Sequence, residues 1–88
     1  MLAESLAKEL APVRVNVVAP YYVDTPMWAR MSEAERQQLF ERVGQQLPIG
    51  RVATIDDVAP VFLSVIQSSY ITGITIPVNG GALLQTIE

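Results

Sequence analysis

Two short β-branched runs, Val13 to Val18 and Ile74 to Val78, are separated by residues 19–73, and that stretch is patterned for helices. Antiparallel strands close through a tight turn, whereas a parallel pair needs a crossover of about a dozen residues or more. The spacing therefore predicts a parallel pair with helices packed against it, an α/β architecture. In the first run Val13, Val15 and Val17 fall on one face and Arg14, Asn16 and Val18 on the other. Such apolar content suits a strand covered on both sides. Asn16 is the polar exception and needs hydrogen-bond partners if it is buried. Pro77 cannot donate to a ladder, which predicts an edge strand.

Leu2, Leu6 and Leu10, with Ala3 and Ala7 beside them, form one apolar helical face that Pro12 brings to an end. No capping residue stands ahead of Met1, so the sequence reads as though it opens inside a helix. Pro20 to Pro26 reads as a loop. Ser32 with Glu35 is a capping box, and Leu39, Val43 and Leu47 make the stripe of the helix that follows, with Phe40 adjacent. Gly44 weakens the last turns of that helix and Pro48 ends it. Thr54 with Asp57 repeats the capping pattern, and Asp56 and Asp57 suit the positive end of a helix better than a catalytic carboxylate pair. From Val58 to Ile66 the next helix is apolar nearly all round, which predicts burial on more than one side. Pro60 is expected to bend or shorten it.

Composition excludes several classes. The 88 residues include no Cys and no His, so no disulfide framework or metal site is expected and the commonest general base is absent. A net charge of −3 with scattered basic residues argues against a nucleic-acid surface. Glu4, Lys8 and Glu9 interrupt any secretory apolar core, and no window reaches the ~18 apolar residues of a membrane span. A soluble, cytoplasmic setting is the expectation.

Four blocks then stand in a telling order. The first is Arg14-Val15-Asn16-Val17-Val18-Ala19-Pro20-Tyr21-Tyr22-Val23-Asp24-Thr25-Pro26-Met27. The second runs from Gly50-Arg51 to Asp57-Val58-Ala59, the third is Tyr70-Ile71-Thr72-Gly73, and the fourth is Asn79-Gly80-Gly81. Together they resemble the C-terminal third of the short-chain dehydrogenase/reductase family, whose first pattern is R-V-N-x-V-x-P-G-x-V-x-T-x-M. Tyr21 stands where the family has Gly, and Asn79 where it has Asp.

The resemblance implies the C-terminal part of a Rossmann-like, doubly wound parallel sheet, with residues 1–88 forming one segment of a single domain. It implies reversible hydride transfer between NAD or NADP and a small alcohol or carbonyl substrate. Pro20, Tyr21, Val23 and Thr25 would meet the nicotinamide half of the cofactor, and Tyr22, Met27 and Trp28 would belong to a substrate lid. A homo-oligomer is implied through the Val58 to Ile66 helix and the Ile74 to Val78 strand. The family's glycine fingerprint and its Ser, Tyr and Lys catalytic residues lie upstream, the Lys roughly one helical turn before Met1. The chain alone is therefore expected to be inactive. The alternative is a non-enzymatic self-association module, or a truncated product without function.

Overall fold

The computed structural model describes residues 2–87. Its elements are helix α1 (Leu2–Glu9), strand β1 (Val17–Pro20), a 3-10 turn (Pro26–Trp28), helices α2 (Glu33–Gln46) and α3 (Ile55–Gln67), strand β2 (Thr75–Val78), and a closing 3-10 segment (Ala82–Ile87). The proposed helix start at Met1 lies outside the described residues. β1 and β2 pair in parallel, Val17 opposite Thr75 and Pro20 opposite Val78. The expected α/β class is present, with three α-helices and a two-stranded parallel sheet.

The first strand begins later than its apolar run suggests. Val13 donates to the Leu10 carbonyl in a turn (2.9 Å), so it never joins the sheet. Around Asn16 side chains take over from the ladder. Asn16 Nδ2 donates to the Ile71 carbonyl (3.0 Å), and Asn16 Oδ1 accepts from the Ile74 N–H (3.3 Å). The Val15 N–H is taken by Thr72 Oγ1 at 3.1 Å. The regular ladder starts at Val17, whose N–H meets the Ile74 carbonyl at 2.9 Å. β2 correspondingly starts at Thr75, one residue after Ile74.

Both long helices obey their caps. Ser32 Oγ accepts from the Glu35 N–H (3.1 Å) and donates to Glu35 Oε1 (2.9 Å). The Thr54 N–H donates to Asp57 Oδ2 at 2.7 Å. Pro60 does not shorten α3, which continues through it to Gln67. It lacks the N–H that would bond one turn back, so one helical bond is missing there. Arg14 closes the far end of α3, donating to the carbonyls of Val65 (3.0 Å), Ser68 (2.8 Å) and Ile66 (3.0 Å). Those are the carbonyls a helix C-terminus leaves without partners.

Burial departs from the sequence pattern in two places. On α1 the covered residue is Ala3, while Leu2 and Leu10 are exposed. Ala7 instead lies against Gly73 at the turn into β2. On α3 Val58 is buried but Phe62, Leu63 and Ile66 are exposed, so the predicted burial on several sides is not supplied by the described residues. The buried hydrophobic residues described are Ala3, Leu47 and Val58.

Gly44 is buried, and a Cβ there would lie 3.0 Å from the Arg51 Cα. Its lack of a side chain lets α2 approach the loop that leads to α3. Gly80 and Gly81 have positive φ (60° and 89°), and a Cβ on either would lie 2.7 Å from Ile49 or Pro48. The turn after β2 therefore needs glycine both for its backbone conformation and for close approach. Asn79 Oδ1 accepts from the Gly81 N–H at 3.0 Å, a role that needs an acceptor but no charge.

Candidate functional site

The chain leaving β1 is held by one short parallel bridge, Val23 opposite Ala53. Ala53 donates to the Tyr22 carbonyl (3.1 Å) and accepts from the Asp24 N–H (2.9 Å). Because Ala53 bonds the residues on either side of Val23, the Val23 peptide groups point the other way. The Val23 carbonyl accepts from Trp28 Nε1 at 2.9 Å, and its N–H has no acceptor among the described residues.

Ala53 is itself fixed to the start of α3. Arg51 donates to both oxygens of Asp57 (2.7 and 3.0 Å) and to the Val52 carbonyl (3.2 Å). The Thr54 hydroxyl also donates to Asp57, at 3.1 Å. The Arg51 bond, with the Thr54 N–H second, holds the Asp57 carboxyl well below the usual carboxylate range. Arg51 is raised in return, chiefly by the same bond. Asp57 is thus occupied in the cap, in keeping with the structural role its position suggests.

Thr25 caps the 3-10 turn. Its Oγ1 accepts from the Met27 N–H at 3.3 Å, and its carbonyl accepts from the Trp28 N–H at 3.1 Å. The turn folds Trp28 back so that its ring stacks on Tyr22, with centroids 5.6 Å apart and planes 15° apart. Phe40 of α2 meets the Trp28 ring edge-on at 5.5 Å. Tyr21 packs edge-on against Tyr22 at 4.9 Å.

A cleft of ≈ 440 Å³ opens beyond the carboxyl end of β1. Pro20, Tyr21, Val23, Thr25, Met27 and Trp28 line one side, and Ile55, Val58, Ala59 and Phe62 of α3 line the other. Of the residues singled out from sequence, Tyr22 alone is absent from this lining; it faces a smaller hollow of ≈ 210 Å³ with Arg51, Asp57 and Asn79. Tyr21 borders both. The contribution of Ile55, Ala59 and Phe62 is not legible in helical periodicity, which marks them as apolar without saying what they face. The capping box at Thr54 is the nearest signal, since it fixes where α3 begins relative to the loop. Among the described residues no cluster of three metal-ligating side chains occurs, and no helix is long and apolar enough to cross a membrane.

An apolar cleft beyond the carboxyl ends of parallel strands is where open α/β sheets bind ligands. The segment is a piece of such a sheet, and sequence comparison gives the family. Residues 1–82 match the family described as enoyl-(acyl carrier protein) reductase, and the chain belongs to the short-chain dehydrogenase/reductases.

The 3-oxoacyl-(acyl-carrier-protein) reductase FabG of Aquifex aeolicus is 49% identical over 82 residues, covering 89% of this chain and 32% of that protein. The uncharacterized oxidoreductase YmfI of Bacillus subtilis is 45% identical over 82 residues, with the same coverage of 89% and 32%. Among solved structures, a small-chain dehydrogenase in complex with NADPH superposes with a TM-score of 0.87 at 42% identity, over 94% of this chain and 38% of that one. The MalC reductase/Diels-Alderase of Malbranchea aurantiaca gives a TM-score of 0.85 at 31% identity, over 94% of this chain and 32% of that one. The chain thus spans about a third of the length of the curated relatives it matches.

Proposed function

We propose that this chain is the C-terminal segment of an NAD(P)-dependent oxidoreductase that moves a hydride between nicotinamide and an alcohol or carbonyl carbon. The observation that carries the reading is the convergence of Pro20, Tyr21, Val23, Thr25, Met27 and Trp28 on one apolar cleft beyond β1. The residues suit a nicotinamide: the Val23 N–H is without an acceptor among the described residues, and the Thr25 hydroxyl accepts one bond while keeping its own proton to donate.

In this reading a nicotinamide bound there would supply or receive the hydride. The Val23 N–H and the Thr25 hydroxyl would hold its carboxamide, and Pro20 and Tyr21 line the same cleft. Tyr22, Met27 and Trp28 belong to the lid that keeps water from the substrate. The Val58 to Ile66 helix and the Ile74 to Val78 strand form a subunit interface.

The proton donor to the substrate oxygen is not among these residues. The family's catalytic Tyr is followed four positions later by its Lys, and no Tyr here has that partner, because the single lysine is Lys8. The purified chain is therefore inactive by itself. Joined to the first two-thirds of the Aquifex aeolicus reductase, it should give NADPH-dependent reduction of a carbonyl substrate. A soluble, folded chimera without nicotinamide-dependent turnover, or turnover by the chain alone, would overturn the reading.

A second reading is favoured by the exposed Leu2, Leu10, Phe62, Leu63 and Ile66: a module that associates with a copy of itself. Association without any effect of cofactor, in size-exclusion runs with and without NADPH, would support that reading instead.

A further inference from the structure

Trp28 makes three contacts that nothing in the cleft's lining explains. Its indole N–H meets the Val23 carbonyl at 2.9 Å. One ring face lies against Tyr22, the residue before Val23, at 5.6 Å. The ring also meets Phe40, on the second turn of α2, at 5.5 Å. Phe40 and Val23 are otherwise distant in sequence, and Trp28 is the chain's only tryptophan.

An apolar ring in this place would satisfy packing alone. Tryptophan adds a donor, and its part-buried indole N–H takes an acceptor. Here the acceptor is a backbone carbonyl whose peptide orientation decides where the neighbouring amides point. The Val23 carbonyl can serve Trp28 only while Ala53 keeps its bonds to Tyr22 and Asp24, because those bonds turn Val23 outward. The indole therefore locks one orientation of the strand-like stretch. The edge contact with Phe40 makes that lock depend on where α2 sits.

We infer that Trp28 is a positioning residue that couples the seating of α2 to the orientation of the Val23 peptide. The inference rests on the reading of the cleft as the nicotinamide pocket, where Val23 presents its N–H. With α2 seated, the Val23 peptide is held and its amide is free for a ligand. With α2 displaced, the indole loses its edge partner and the peptide is released. The lid and the cofactor-side backbone thus form one unit, joined through a single ring.

The test uses the isotope-labelled chain and nuclear magnetic resonance, with no cofactor present, so its outcome is independent of whether the dehydrogenase reading holds. Trp28→Phe keeps a ring between Tyr22 and Phe40 but removes the donor. Phe40→Leu keeps the donor but removes the edge contact. The Glu35 amide, bonded to Ser32, reports whether α2 remains folded.

In Trp28→Phe the Val23 carbonyl resonance is expected to move and Asp24 amide exchange to quicken by about fivefold, the effect of losing one net hydrogen bond. In Phe40→Leu the Trp28 indole and Val23 carbonyl resonances are expected to shift together. A purely packing role predicts that Phe rescues, leaving the Val23 carbonyl and Asp24 exchange as in the parent. That result overturns the inference, as does an indole resonance in Phe40→Leu identical to the parent's, or one in the parent typical of a free side chain. If Trp28→Phe loses the Glu35 signature, Phe40→Leu decides by the same criterion.

Discussion

Arg51 and Asp57 meet through two hydrogen bonds, 2.7 and 3.0 Å long, while the Thr54 N–H donates to the same carboxylate at 2.7 Å. One acidic side chain thereby joins the loop from α2 to the first turn of α3. The pair is open to solvent, so salt screens it and its contribution to stability is small.

Its pH dependence has a definite sign. The Asp57 carboxyl is lowered in the folded chain, first by Arg51 and next by the Thr54 N–H. Its stabilisation is fully present above the unfolded carboxylate value of about 3.9 and is lost as pH falls towards the lower folded value. Arg51 is raised, so its contribution is present below its ordinary value and is lost only at extreme alkaline pH. Asp57→Asn should therefore remove part of the acid-dependent loss of helical signal below about pH 4. Circular dichroism melts of parent and variant from pH 6 to 2 check this; parallel curves would refute it.

Gly44→Ala tests the close approach of α2 to the loop. In an open helix the change would stabilise by about 1 kcal/mol. Here the new Cβ meets the Arg51 Cα at 3.0 Å and the Gly50 carbonyl oxygen at 3.3 Å. Both are backbone atoms, and overpacking of this kind costs ~1–3 kcal/mol. A net loss is expected, seen as a lower urea midpoint. Alanine at the exposed neighbour Gln45 should change the stability by no more than ~0.5 kcal/mol and leave the midpoint close to the parent's.

The parallel pair, the caps at Ser32 and Thr54, and the residues on the β1 side of the cleft are legible in sequence because each is a local pattern. The start of β1 is not. The apolar run at Val13 looks like a strand, but pairing is decided by Ile71, Thr72 and Ile74, whose groups reach Val15 and Asn16 from the far end of the chain. The leucine face of α1 has the right period, yet periodicity cannot say what covers it. Among the described residues the small Ala3 side is packed instead. The α3 wall of the cleft is hidden for the same reason, since Ile55, Ala59 and Phe62 read only as apolar helix.

Arg14→Lys should loosen the end of α3. A planar guanidinium serves several carbonyls at once, here those of Val65, Ile66 and Ser68, whereas an ammonium offers a point charge. Hydrogen bonds made by charged groups are worth about 1.5–3 kcal/mol in general, and lysine keeps only part of that. Faster amide exchange is expected in the last turn of α3, with the first turn at Thr54 to Asp57 unchanged. Equal exchange at both ends would refute the role.

Both edges of the sheet are open to another strand. The Val17 N–H bonds the Ile74 carbonyl, so Val17 and Ala19 face β2, and Val18 and Pro20 face outward. On β2 the outward positions are Thr75 and Pro77. Pro20 and Pro77 have no N–H to give, so each edge offers one donor, at Val18 or at Thr75. A two-stranded sheet is marginal alone. Purified chain should associate in a concentration-dependent way through these edges. Val18→Pro and Thr75→Pro each remove the outward N–H of one edge without touching the bonds between the strands, so each should weaken association. Size-exclusion with light scattering over a range of concentrations reads both variants. Unchanged association in both, or a parent that stays monomeric throughout, would show that the sheet edges do not drive association.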